Sequence, residues 1–231
     1  MIQVKRALGQ HQAGIVTKTT RRWPSSVPNQ WRLIPMVVVS PLVVARSQLL
    51  TAIDLFFNDR DPISVHALAA NAREILESLC RLAAVEPITE LFLRDHPREP
   101  KKDIYAALNL YRNCFKHVGK TWEDRKDGQA ILNQFDDSKN EYLLYVCVED
   151  YLRLRGSSPF PMQVLHAWFC AVHVDLVGSA CSRQKFVNLF PDLSQMNRYQ
   201  QKRAALSVIQ RSSDDPQVLA NPQTEPILID H

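Results

Sequence analysis

Apolar side chains recur at helical intervals along most of the chain, and proline or charge marks the breaks between the runs. From Arg46 to Phe57, Leu49, Leu50, Ile53, Phe56 and Phe57 keep a helical period, which predicts a first helix ending at the NDRDP turn of residues 58–62. Asp61 then offers an N-cap carboxylate, and Pro62 takes the first helical position, where a missing N–H is no loss. Val65, Leu68, Ala69, Ala72, Ile75, Leu76, Leu79 and Ala83 carry the i, i+3, i+4, i+7 template onward as a second helix.

Past the charged connection HPREPKKD, Asp103 can cap a third helix that runs to Val118, with Gly119 as its C-cap. The charged stretch WEDRKDGQ leads to a short helical piece at 128–135. The run NEYLLYVCVEDYLRLRG follows, apolar almost all round from Tyr142 to Val148, which suits a central helix. GSSPFP breaks the chain, and further helices are predicted at 162–177, 183–190 and 195–211. Six glycines against fourteen prolines favour helices with proline-marked breaks over a many-turned β architecture. The expected fold class is mostly α, an antiparallel helical bundle of four or more helices with additional C-terminal helices and disordered termini. One bundle domain should occupy 36–211, with a flexible basic arm or presequence at 1–35 and a disordered tail at 212–231.

Charge sharpens that division. The net charge is +4, yet residues 1–53 hold seven cations (Lys5, Arg6, Lys18, Arg21, Arg22, Arg32 and Arg46) and no acid. The remaining 21 Lys and Arg face 24 Asp and Glu, a balance of −3. The basic character belongs to the N-terminal segment, whose composition also fits organellar targeting. Cys80, Cys114, Cys147, Cys170 and Cys181 are odd in number and scattered without metal-ligand spacing, which points to buried thiols in a reducing cytoplasm. The longest apolar run, residues 33–45, contains two prolines and is shorter than the roughly 20 residues of a membrane helix, so no membrane association is expected.

The third helix carries the candidate chemistry. Advancing 100° per residue from Ile104, Ile104, Leu108, Tyr111 and Phe115 align, and Ala107, Leu110 and Cys114 extend the apolar arc to one side. Asn109, Arg112, Asn113, Lys116 and His117 share the remaining arc, which has no carboxylate after Asp103. Such a strip suits phosphate, and it equally fits a solvated polar face. Asn113 and His117 are i, i+4 neighbours, so the amide can orient the imidazole, and a histidine can exchange a proton near neutral pH. Elsewhere, His66, His166 and His173 read as structural histidines. The basic segment 183–211, interleaved with Phe186, Phe190 and Tyr199, reads as either an RNA-contacting pair of helices or a solvated surface.

Arg112, Asn113 and His117 reproduce the R-N-x-x-x-H form of an R-x4–6-H motif, and here the chain resembles HEPN domains, α-helical ribonucleases and RNA-binding modules of toxin–antitoxin and defence systems. The resemblance spans roughly residues 41–177 as a run of bundle helices, and its specific part is six residues. Arg6 with His11 matches the bare spacing in a segment with no helical pattern, and Arg60 with His66 matches it across a helix start containing Pro62. The resemblance implies a metal-independent endoribonuclease site, built where the motif helices of two units face each other and requiring no cofactor. Arg112, Asn113 and His117 would be catalytic, and Asn109, Lys116 and Lys120 would contact RNA. The partners implied are RNA, a second copy in a homodimer, and a protein such as an antitoxin. Many members carry a tyrosine two residues after the histidine, which the antitoxin modifies. Here that position is Gly119, a departure that removes this mode of control. The alternative from the residues alone is a non-catalytic helical interaction or dimerisation module using the same face.

Overall fold

Side-chain caps set where the first two helices begin. The computed structural model describes residues 39–227 except 96, 99, 118–121 and 177–179, so the expected arm at 1–35 lies outside the described residues. Helix α1 (Pro41–Phe57) starts at Ser40, whose hydroxyl accepts from the Val43 N–H at 3.3 Å. It takes in five residues ahead of the predicted start, because the PLVVA run is itself apolar and follows a cap. Helix α2 (Pro62–Leu82) starts as the sequence predicts, with the Asp61 carboxylate accepting from the N–H groups of Ile63 and Ser64 at 3.2 and 3.1 Å.

The chain continues through α3 (Ile88–Asp95), α4 (Lys101–Lys116), α5 (Trp122–Leu132) and α6 (Ser138–Arg155). Gly156 ends α6 in the left-handed conformation, at φ 72°. Strand β1 (Ser158–Pro159) leads into α7 (Phe160–Val172), then α8 (Ala180–Leu189), α9 (Arg198–Ser212), the single turn α10 (Pro216–Leu219) and β2 (Thr224–Glu225), which pairs in parallel with β1. The protein is mostly α, as the periodicity predicts. No helix among the described residues is long and apolar enough to cross a membrane.

The main core lies between α1, α2, α6 and α7, with α2 packed against both α1 and α6. Leu49, Ile53, Leu76, Leu144, Met162 and Leu165 are fully buried there. Trp168 of α7 meets Phe56 and Phe57 of α1 edge-on, each at 5.6 Å between ring centroids, and its indole N–H donates to the Gln201 carbonyl of α9 at 3.0 Å. Burying the rings and satisfying the one polar atom ties three helices together.

Asp103 does not cap α4, which follows Pro100 with no side-chain cap and carries Asp103 in its first turn; two further expectations need correction. Helix α3 was not anticipated: its first N–H, from Ile88, donates to the Asp150 carboxylate at 2.7 Å, so its cap comes from α6 and not from the local sequence. The tail from 212 is not disordered through the described residues. Glu225 accepts from the Tyr151 hydroxyl at 2.6 Å and the Ser157 hydroxyl at 2.8 Å, and Arg46 and Arg155 form ion pairs with it. Arg46 also donates to the carbonyls of Pro226 and Ile227. Proline and polar composition argued for disorder because these partners lie far back in the chain. The domain therefore extends to Ile227.

Asp150 carries a pH dependence that the fold makes explicit. It is fully buried, and its second oxygen has no partner among the described residues. Burial, with a smaller push from Glu77, raises its carboxyl to about 6. The folded state therefore holds this proton more tightly than the unfolded chain does. The penalty for burying the charge is full above pH 6 and is relieved as pH falls toward 4. Asp150→Asn should be more stable than wild type at pH 8, by on the order of 2–3 kcal/mol in urea melts. The difference should shrink to nearly nothing at pH 4, and a pH-independent difference would exclude this account. For the tail, Glu225→Ala should cost about 2 kcal/mol and expose residues 213–227 to proteolysis. A variant as protease-resistant as wild type would show that Glu225 does not hold the tail.

Candidate functional site

Helix α4 has no fully buried residue, and its orientation is set by polar contacts to α2. Ile104, Tyr105, Leu108, Asn109, Tyr111, Arg112, Cys114 and Phe115 are half-buried, whereas Ala106, Ala107, Leu110, Asn113, Lys116 and His117 are exposed. The inward face is therefore turned by roughly 65°, at 100° per residue, from the one hydrophobicity predicts. Ala107 and Leu110, expected inside, face out; Asn109 and Arg112, expected on the wet face, turn in.

The cause lies on α2. Arg73 and Glu77, one turn apart, are both buried and joined at 2.8 Å. The other Arg73 nitrogen donates to the Asn109 side chain at 2.7 Å. Glu77 also accepts from the Tyr105 hydroxyl and, at 2.5 Å, from Arg81. Burial and the Glu77 carboxylate together raise the Tyr105 phenol. Arg81 and Lys101 meet Glu90 of α3 at 3.2 and 2.9 Å. One turn further along α4, Arg112 forms an ion pair with Glu74.

A second contact set surrounds His66 of α2. Its ring meets Tyr111 and Phe115 of α4 and Phe135 edge-on, at centroid distances of 5.9, 5.4 and 5.4 Å. Asn140 donates to the Pro62 carbonyl through its amide nitrogen, so its oxygen faces His66 Nδ1 at 3.0 Å as the acceptor, and Nδ1 carries the hydrogen. His66 Nε2 is buried with no partner. Burial lowers the affinity of this ring for a second proton, with the Asn140 bond opposing it.

The predicted site residues thus separate. Asn109 and Arg112 belong to the α2–α4 interface. Asn113, Lys116 and His117 are exposed. Helix α4 ends at Lys116, and His117 is its C-cap with extended backbone (φ −121°, ψ 116°), although its N–H still donates to the Asn113 carbonyl at 2.9 Å. The chain leaves the helix there, which undoes the i, i+4 spacing that pairs Asn113 with His117. No hydrogen bond joins their side chains among the described residues. Lys120 and Gly119 lie outside the described residues. No carboxylate among the described residues pairs with Lys116 or His117, so the C-terminal end of α4 carries uncompensated positive character when His117 is protonated.

The residues that sequence reasoning missed are Arg73, Glu74 and Glu77. The i, i+4 ladder Arg73–Glu77–Arg81 was legible, but not its burial. The second basic segment is partly structural. Arg198 pairs with Asp137 and Glu141 at 2.9 and 2.8 Å, and the buried Lys202 pairs with Asp59 and Asp137 at 2.7 and 2.6 Å, binding α9 to α6 and to the α1–α2 turn.

Arg112→Met should lower stability by on the order of 1 kcal/mol, and a double-mutant cycle with Glu74→Gln should return most of that as coupling, since Glu74 is more than a third exposed. Zero coupling in thermal melts would mean that the pair orders nothing. The chain matches no family model, no curated protein and no solved structure.

Proposed function

We propose that this chain is a HEPN-like protein that engages RNA through the C-terminal end of α4 and acts as a metal-independent endoribonuclease of toxin or defence type. The observation that carries the reading is the exposure of Lys116 and His117 at that helix end, with no carboxylate among the described residues set against them. A single-stranded backbone can reach them from solvent. Lys116 contributes phosphate attraction. His117 takes the proton from the substrate 2′-OH, whose oxygen attacks the adjacent phosphorus; the P–O5′ bond breaks, the 5′-oxygen leaves with a proton from the imidazolium or from water, and a 2′,3′-cyclic phosphate remains. Arg112, held in place by Glu74, turns its guanidinium to the developing phosphorane charge, and Asn113 orients the substrate beside it.

One α4 supplies one arginine and one histidine, so the complete site takes two copies. The outward stripe Asp103, Ala106, Ala107, Leu110, Asn113 and His117 places small side chains around Leu110, so that α4 can pack closely on its own copy there.

A second reading follows from the Arg112–Glu74 ion pair: an arginine already neutralised is suited to bracing α4 in a non-catalytic interaction or dimerisation module. The two separate in one set of measurements on a fluorescent single-stranded RNA in EDTA. Under the first, wild type cleaves and His117→Ala loses about 10²–10⁴-fold in rate with its melting temperature unchanged. Lys116→Ala should weaken binding and flatten the salt dependence by about one counterion. Under the second, wild type neither binds nor cuts RNA, yet Leu110→Glu converts a dimer to monomer in light scattering.

A further inference from the structure

Helix α4 has no fully buried residue, so a few contacts hold its C-terminal half on α2. The imidazole of His66 joins them. It is 4% exposed and meets Tyr111 and Phe115 of α4 and Phe135 of the turn before α6. Those rings also meet one another, Tyr111 with Phe135 at 5.0 Å and Phe115 with Phe135 at 5.1 Å, so His66 is the point at which the cluster touches α2. The neighbouring Arg112–Glu74 ion pair adds little by itself, because Glu74 is more than a third exposed.

A second proton on this ring has nowhere to be accommodated. Nδ1 is committed to the neutral Asn140, and Nε2 is buried with no acceptor. The Asn140 amide donates to the Pro62 carbonyl at 2.9 Å and to Asp137 at 3.4 Å, and Asp137 is itself paired with Lys202 and Arg198 at 2.6 and 2.9 Å. On α4 the titratable group that touches the imidazole is Tyr111, whose hydroxyl donates to the Gln134 carbonyl at 3.3 Å. No charged group on α1, α4 or α6 acts on the ring. An imidazolium held here would lose its water without gaining a counter-charge, whereas in the open state it is hydrated.

We infer that His66 is an acid-sensitive latch: protonation of its imidazole undocks α4 and the Phe135 turn from α2 while the core of α1, α2, α6 and α7 stays folded. The docked ring binds its proton less tightly than a free histidine, whose ordinary value is 6.5, so docking is at full strength above pH 6.5 and weakens as pH falls below it. Asp150, a buried carboxyl in the core, works in the opposite sense. Its value is pushed up to about 6, so the folded core takes up that proton and gains stability over the same range. Acid therefore loosens α4 and spares the core. The latch does not depend on what the end of α4 binds.

Hydrogen exchange of the full chain at pH 7.5 and 5.5, corrected for the intrinsic rate at each pH, tests this. The opening constant of residues 104–116 should rise about tenfold at pH 5.5, while residues 49–57 of α1 change by less than about twofold. In His66→Gln, which keeps a donor for Asn140, and in His66→Phe, which keeps a ring in the cluster, the response of α4 to acid should vanish. An unchanged α4 in wild type, or the same tenfold rise in both variants, overturns the latch. If both variants open α4 already at pH 7.5, the His66 Cε1–H resonance of wild type decides. Protonation of the ring in step with loss of α4 protection supports the latch; a protonated ring beneath a still-protected α4, a cation held against the aromatic faces, overturns it.

Discussion

Two buried charges on one helix, Arg73 and Glu77, govern which face α4 presents to solvent. Their mutual contact at 2.8 Å is not sufficient, because each has further donors or acceptors to satisfy away from water. Asn109, Tyr105 and Arg81 supply the partners. Two of these lie on α4, so α4 must turn its polar side inward. The desolvation at stake is several kcal/mol per unpaired ion, more than the gain from burying Ala107 and Leu110. The alanine–leucine stripe is left outside as a result, beside Asn113 and His117.

The helices divide by what holds them. Core helices α1, α2, α6 and α7 enclose fully buried apolar side chains and the Trp168–Phe56–Phe57 cluster. Helices α3 and α4 are tied on by Asp150, Glu77, Glu90 and the rings around His66. An element with few buried apolar contacts opens at lower free energy than the core. On the reading proposed above, that suits a surface for RNA or a second subunit, with Arg112 a brace while Glu74 faces it and a charge donor when a phosphate does.

Local physics was legible from the residues. The period of Leu49 to Phe57 and of Val65 to Ala83 predicted α1 and α2, and the Asp61–Pro62 start was read correctly because cap and amides lie within three residues of each other. The apolar run of 142–148 predicted a central α6, and Leu143, Leu144, Cys147 and Val148 are buried, although Tyr142 is half exposed. For α4 the residues marked a helix but not its rotation. An apolar arc reports which side prefers burial only when the neighbouring surface is apolar, and α2 offers ions there.

What the sequence by itself determined was the helical class, the positions of the core helices and the list of side chains at the end of α4. The tertiary structure alone decided which of them face out. Arg73 reaches Asn109 across 36 positions, and Arg46 reaches the Ile227 carbonyl across 181. A hydrophobic period is summed over neighbours in the chain, whereas a buried charge is satisfied by whatever the fold brings within about 3 Å. The turned face of α4, the Asp150 cap on α3 and the ordered C-terminal segment all depend on partners of that second kind.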